Sequence, residues 1–140
     1  MKEKKETSEE KTKLITFNGL KLKLIRYKQK WMFPVIEYYS TGIGSPIALS
    51  LHSYNEKEKE FEPYTDVTVN IPYCKRGTGC QFIDTNNNEL SIVDWLEENG
   101  FGKRTGNFGQ SGFCTYPEFN FYVGEQFMEY KAFNDRMHGI

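Results

Sequence analysis

The chain has 140 residues, and its 18 Lys and Arg against 19 Asp and Glu give a formal net charge of −1. This balance argues against nucleic-acid binding through bulk positive charge and equally against an acidic mimic of nucleic acid. No stretch has the length of a membrane span, and residues 1–12 lack the apolar segment of a signal peptide. We therefore expect a cytoplasmic protein with no membrane partner.

Residues 1–12 are predicted to be a charged, disordered tail. They contain no apolar residue after Met1, so ordering them would bury nothing to offset the loss of chain entropy. Residues 13–140 are predicted to form a single domain, because a chain of this length suits one domain and can bury a core of ordinary size.

The predicted domain starts with a β-hairpin. Residues 13–17 and 20–27 alternate between apolar and polar side chains on either side of Asn18-Gly19, a pair typical of the type I′ turn. The register of that turn puts the leucines of the second strand on one apolar face, and its first lysines on the other.

Further strands are predicted from alternating apolar residues between turn signals. Pro34 indicates an edge strand or a bulge, and residues 55–63 read as a solvated loop. The strands at 46–54 and 64–71 are expected to pair antiparallel. The predicted segments are 31–39, 46–54, 64–71, 80–84 and 118–123.

A central helix is predicted over residues 89–99, with Asn88 as its N-cap and Gly100 just after its end. Aromatic residues at every third position from 127 to 133 predict a short C-terminal helix. Runs of strands with one or two helices predict an α+β fold, built on a mostly antiparallel sheet of about five to six strands.

A long glycine-rich loop is predicted from residue 102 to residue 116. Loops of this length without secondary structure are often functional, and basic and aromatic side chains accompany the glycines here. The segment is therefore either an interaction surface or only a connection. The candidate surface residues are Lys103, Arg104, Asn107, Phe108, Gln110, Phe113 and Tyr116.

The cysteines and one aspartate are the candidates for chemistry. Cys74, Cys80 and Cys114 are expected to be reduced thiols, with a disulfide or a metal site at the first two as alternatives. Nothing in the sequence places a base beside Cys114, and Asp84 precedes three asparagines in a pattern typical of turns and capping. We predict no catalytic residue, no metal and no cofactor.

Residues 82–121 resemble the signature half of a bacterial domain family of unknown function. The shared strings are D-T-N-N, E-E-N-G, T-G and S-G-F-C-T-Y-P, here at residues 84–87, 97–100, 105–106 and 111–117. The resemblance implies a small accessory protein of Gram-positive bacteria, often associated with mobile elements. It suggests a role against host defence or in maintenance of the element, and it assigns no activity.

The resemblance also implies a structural corner between the first and last of these strings. Asn86 and Asn87 would hydrogen-bond to the backbone of the glycine-rich loop, while Phe113 and Tyr116 would pack beside the central helix. The tail and the residues from 127 onwards would be additions to the family. The corner residues are Asp84, Asn86, Asn87, Trp95, Cys114 and Pro117.

Three functions remain open at this point. The first is a non-enzymatic protein-binding module that uses residues 101–116, with inhibition of a host defence nuclease as one version. The second is a single-stranded nucleic-acid module, with Lys103 and Arg104 on phosphates and aromatic rings on bases. The third is a hydrolase or thiol enzyme built on Cys114.

Overall fold

The computed structural model describes residues 10–139, and residues 1–9 of the predicted tail lie outside this range. This part of the chain contains nine strands and two helices, which confirms the α+β class. The strands form two sheets rather than the single predicted one. The elements are β1 Thr12–Phe17, β2 Leu20–Tyr27, β3 Lys30–Tyr38, β4 Ile47–Asn55, β5 Glu60–Asp66, β6 Thr68–Val69, β7 Cys80–Ile83, α1 Ser91–Glu98, β8 Lys103–Ser111, β9 Cys114–Asn120 and α2 Glu125–Met137.

The two sheets differ in how closely their strand order follows the chain. The five-stranded sheet has the sequential order β1-β2-β3-β4-β5, and the four-stranded sheet has the order β6-β7-β9-β8. The described chain divides into two compact units: residues up to Pro34 with Leu51–Tyr64, and Val35–Ser50 with the residues from Thr65 onwards. Neither helix in the described residues is long and apolar enough to cross a membrane.

The predicted N-terminal hairpin is confirmed. Asn18 and Gly19 have φ angles of 50° and 80°, as a type I′ turn requires, and Phe17 lies opposite Leu20. The ring of Phe17 packs edge-on against Phe61, with 4.9 Å between the ring centroids. The hairpin is thus fixed by its turn and by aromatic packing within the first unit.

Of the two placements predicted for Pro34, an edge strand or a bulge, the edge strand is wrong. β3 lies between β2 and β4 in the sheet, so it is not an edge strand. Its ladder with β2 includes the pairs from Tyr27↔Lys30 to Ile25↔Met32.

The predicted strand over residues 64–71 is divided between the two sheets. β5 begins at Glu60, inside the segment predicted to be a loop, and β6 starts after Val67. The buried Val67 donates its N–H to the carbonyl of Leu49 (2.9 Å), and its carbonyl accepts the N–H of Asp84 (2.8 Å). Both polar groups of this residue are satisfied where the chain leaves one sheet for the other.

The central helix ends as predicted but begins differently. Gly100 has a φ of +76° and donates to the carbonyl of Glu97, while Phe101 donates to the carbonyl of Leu96, which together form a Schellman motif. Asn88 is not the N-cap, because its side chain donates to the carbonyls of Asp66 and Asp84. The helix therefore starts later, at Ser91.

The C-terminal helix α2 is longer than the aromatic spacing alone predicts. Phe127 and Tyr130 are buried, as expected for one apolar face. Asn134 is also buried, which the sequence did not predict. Its side-chain oxygen accepts the N–H of Ile36 at 3.1 Å. This bond connects α2 to the part of β3 that belongs to the second unit.

Stability should respond to the turn between β2 and β3. Lys28 and Gln29 both have positive φ, 51° and 64°, which costs non-glycine residues about 1–2 kcal/mol each. We expect the double substitution Lys28→Asn and Gln29→Gly to raise the free energy of unfolding by about 1 kcal/mol, after loss of the Lys28 contact with the Tyr27 ring. Urea denaturation measures the change.

The matched control is the first hairpin turn. Asn18→Lys with Gly19→Gln installs the other turn's residues at the same kind of position, and it should lower the free energy of unfolding by a similar amount. Equal stability of all three proteins would show that turn chemistry does not limit this unit.

Candidate functional site

The glycine-rich segment predicted to be a loop is a β-hairpin. β8 and β9 pair antiparallel up to Ser111↔Cys114, and the turn between them consists of Gly112 and Phe113. Gly112 has a φ of +62°, the sign that a type II′ turn needs at its first central residue. The segment is therefore a defined element of the four-stranded sheet.

The ladder between β8 and β9 contains a bulge. Arg104 pairs with Phe119 and Phe108 pairs with Pro117, so three residues of β8 lie opposite the single residue Glu118 of β9. Gly106, in the middle of the three, has a φ of +92°. The bulge bends the edge strand around the Glu118 side chain.

The Glu118 carboxylate is buried, with 4% of the residue exposed. Its Oε1 accepts the Thr105 hydroxyl at 2.6 Å and the Asn107 side-chain amide at 3.2 Å, and its Oε2 accepts the backbone N–H of Gly77 at 2.8 Å. Burial opposes ionisation, but these donors outweigh it and hold the pKa of Glu118 below its ordinary value. The charged carboxylate thus ties the bulge to the segment before β7.

The outer edge of the hairpin is accessible. β8 is last in the strand order, so its outer edge has no neighbouring strand in the described part of the chain. Phe108 is 64% exposed, and Phe113 at the turn is fully exposed. Gly109 faces inward, where a Cβ would lie 2.6 Å from the ring of Phe82. The absence of a side chain at Gly109 lets β8 approach the Phe82 ring closely, while Phe108 and Phe113 face the solvent.

Arg104 of β8 is less available to bind phosphate than the sequence predicted. Arg104 forms ion pairs with Asp94 and Glu97 of α1, and its backbone N–H also donates to Glu97 at 2.9 Å. The Arg104 hydrogen bonds lower the pKa of Glu97, which keeps the pair charged. A guanidinium held by two carboxylates is a poor phosphate ligand.

The other predicted surface residues are divided between the surface and the core. Lys103, Asn107 and Gln110 are exposed on β8, and Asn107 also bonds Glu118. Tyr116 is buried against Ile71 and Phe82. Phe113 is fully exposed, so the prediction that its ring packs beside α1 was wrong.

The residues of the predicted structural corner form a local turn at residues 84–87 and separate contacts elsewhere. The Asp84 carboxylate accepts the backbone N–H groups of Asn86 and Asn87 and the side-chain amide of Asn87, which closes the turn on itself. These bonds replace the predicted ones to the glycine-rich segment. Trp95 stacks on Phe101 with 5.9 Å between centroids, and Pro117 pairs with Phe108.

The three cysteines are free thiols. Cys80 is buried, and burial followed by the charge of Glu118 raises the pKa of its thiol to about 11. Cys74 and Cys114 pack against the Ile71 cluster. In the described residues no three Cys, His, Asp or Glu side chains group as metal ligands would.

A groove that sequence analysis missed lies beside the hairpin. It has a volume of about 440 Å³ and is lined mainly by residues 72–79, with Ile43, Gly44 and Tyr122. Tyr73 donates its hydroxyl to Ser111 at the end of β8 (3.1 Å), so groove and hairpin are contiguous. The signal in the sequence was the combination of tyrosine, lysine and arginine within residues 73–76.

The fold and this surface define an antiparallel α+β protein with a bulged, exposed hairpin and an adjoining groove. Residues 35–138 match the family described as Domain of unknown function (DUF4313), and because this is most of the chain, the protein belongs to that family. The match reaches through α2, so the C-terminal segment is not an addition. No curated protein and no solved structure matched the chain.

Removal of the Glu118 charge should destabilise the protein in a pH-dependent way. Glu118→Gln replaces one acceptor oxygen by an NH2 donor that faces other donors, and we expect the free energy of unfolding at neutral pH to fall by about 2 kcal/mol. The folded-state pKa lies below the ordinary value of 4.5, so this contribution is present above pH 4.5 and is lost as the pH falls through the folded pKa. Urea denaturation at a series of pH values measures both effects.

Glu60→Gln is the matched control, since Glu60 is exposed at the start of β5. It should change stability by less than about 0.5 kcal/mol. The role assigned to Glu118 is contradicted if the two variants unfold alike at neutral pH.

Proposed function

We propose that this protein is a non-enzymatic protein-binding module that recognises its partner through the β8–β9 hairpin. The observation that supports the proposal is the exposed aromatic pair on an ordered edge: Phe108 on β8 and Phe113 at the turn. Exposed aromatic side chains on a fixed scaffold are typical of interface centres. The outer edge of β8 also offers backbone groups for pairing with a partner strand.

Electrostatics favour protein over nucleic acid as the partner of this hairpin. Arg104 is already bound by Asp94 and Glu97, which removes the cation on which phosphate binding would chiefly depend. Lys103 is left as the basic residue of β8. An edge strand with aromatic anchors and little free charge suits a protein surface.

The surroundings of the cysteines do not support the enzymatic alternative. The raised pKa of Cys80 disfavours the thiolate that a nucleophile needs, and Cys114 packs beside the apolar cluster of Ile71 and Phe82. Free thiols are consistent with the reducing cytoplasm, where we place the protein. The chain resembles a family of accessory proteins that is often associated with mobile elements. We therefore propose a host defence protein as the first partner to test.

The expected result of replacing the aromatic pair is loss of the partner with no loss of fold. Phe108→Ser with Phe113→Ser should reduce capture from a nuclease-treated lysate of the source cells by about tenfold or more. Quantitative mass spectrometry of the captured proteins gives the ratio to wild type. Thermal unfolding should be nearly unchanged, because both side chains are exposed.

The control replaces two exposed leucines in place of the two phenylalanines. Leu14→Ser with Leu90→Ser removes side chains from residues that are each 72% exposed and are not part of β8 or β9, and this variant should retain capture. Absence of any specific partner for wild type, or equal capture by the hairpin variant, would overturn the proposal. Capture that disappears on nuclease treatment would support nucleic-acid binding instead.

A further inference from the structure

The groove beside the hairpin has a one-sided charge. Lys75 and Arg76 line it, and no Asp or Glu of the described residues does. Arg76 donates to the carbonyl of Ile43 at 2.7 Å and keeps further N–H donors for a ligand. The Glu118 carboxylate, which accepts the N–H of Gly77 in this loop, is buried with both oxygens occupied. The groove therefore favours an anionic occupant.

Apolar side chains surround these cations. Ile43 is 86% exposed and Tyr73 is 73% exposed, so both present apolar surface along the groove. Tyr122 lines both this groove and an adjoining depression, where Val123 and Met128 are also exposed. The non-aromatic members of this set, Ile43, Val123 and Met128, offer contacts that suit the apolar side chains of a polypeptide.

The walls of the groove are held in place from three directions. Gly77 is tied to Glu118, Tyr73 to Ser111, and Arg76 to Ile43. A preformed site loses less entropy on binding than a loop that must order itself. The groove is thus suited to recognition as it stands.

From this geometry we infer that the groove binds an acidic polypeptide segment that also carries apolar side chains. Its carboxylates lie over Lys75 and Arg76, and its apolar side chains contact Ile43 and Tyr73. Glu125 and Glu129 line the adjoining depression and orient the segment by repelling its acidic part. This inference rests on the proposed function, and it names the chemistry of the partner next to the hairpin.

The test uses defined peptides in place of the unidentified partner. One fluorescein-labelled peptide carries a pair of leucines among glutamates, and its matched control carries the same leucines among lysines. Fluorescence anisotropy with the full chain should show saturable binding of the glutamate peptide only, and weaker binding as salt is raised. Lys75→Glu with Arg76→Glu should weaken that binding by about tenfold or more.

The matched charge control is Lys21→Glu with Lys57→Glu, which changes the net charge equally at exposed residues of the first unit. This variant should bind the glutamate peptide like wild type. Failure of the glutamate peptide to bind, or equal weakening by both variants, would overturn the inference. Single-stranded oligothymidylate that competes as well as the glutamate peptide would overturn it in favour of a general anion site.

Capture with the hairpin variant separates this inference from the proposed function. Loss of capture by Phe108→Ser with Phe113→Ser, together with no peptide binding to wild type, defeats the inference and leaves the proposed function standing. Peptide binding that depends on Lys75 and Arg76, together with undiminished capture by the hairpin variant, would support the inferred peptide site in the groove. It would contradict the proposed recognition of the partner by the hairpin.

Discussion

The ionised carboxylate of Glu118 is the constraint on which the rest of the surface depends. It belongs to β9 of the four-stranded sheet and accepts hydrogen bonds from a hydroxyl, a side-chain amide and a backbone N–H. A buried charge of this kind is stable only when its hydrogen bonds are complete. The groups that complete them come from the bulge of β8 and from Gly77, which are far apart in the sequence.

Because one side chain holds both segments, the hairpin and the groove share a support. The bulge sets the path of β8 and therefore the positions of Phe108 and the turn at Phe113. The bond to Gly77 sets the path of residues 72–79, and Tyr73 closes the gap by its bond to Ser111. The buried cluster that includes Phe82 contacts Cys74 of the groove and Cys114 of the hairpin, so it packs against both segments.

Local signals in the sequence predict the local structure well. The Asn18-Gly19 turn and the Schellman end of α1 at Gly100 were found because each depends on residues adjacent in the chain. The alternating leucines of β4 were found for the same reason, since burial on one face repeats every second residue.

The errors concern features that depend on distant residues. β8 looked like a loop because its inward-facing position is Gly109, which leaves room for the Phe82 ring but gives no apolar alternation. Asn88 looked like a helix cap, yet its partners are Asp66 and Asp84. The groove joins Ile43, residues 72–79 and Tyr122, and no pattern within one segment indicates that they meet.

The most direct measurement of the central claim is a nuclear magnetic resonance pH titration of the wild-type chain. The resonances of the Glu118 carboxyl carbon, the Gly77 backbone amide and the Asn107 side-chain amide are followed together as the pH is lowered. The account predicts a single shared midpoint below 4.5, because all three report protonation of one hydrogen-bonded carboxylate. A Glu118 midpoint at or above 4.5, or amides that do not shift with it, would contradict the account.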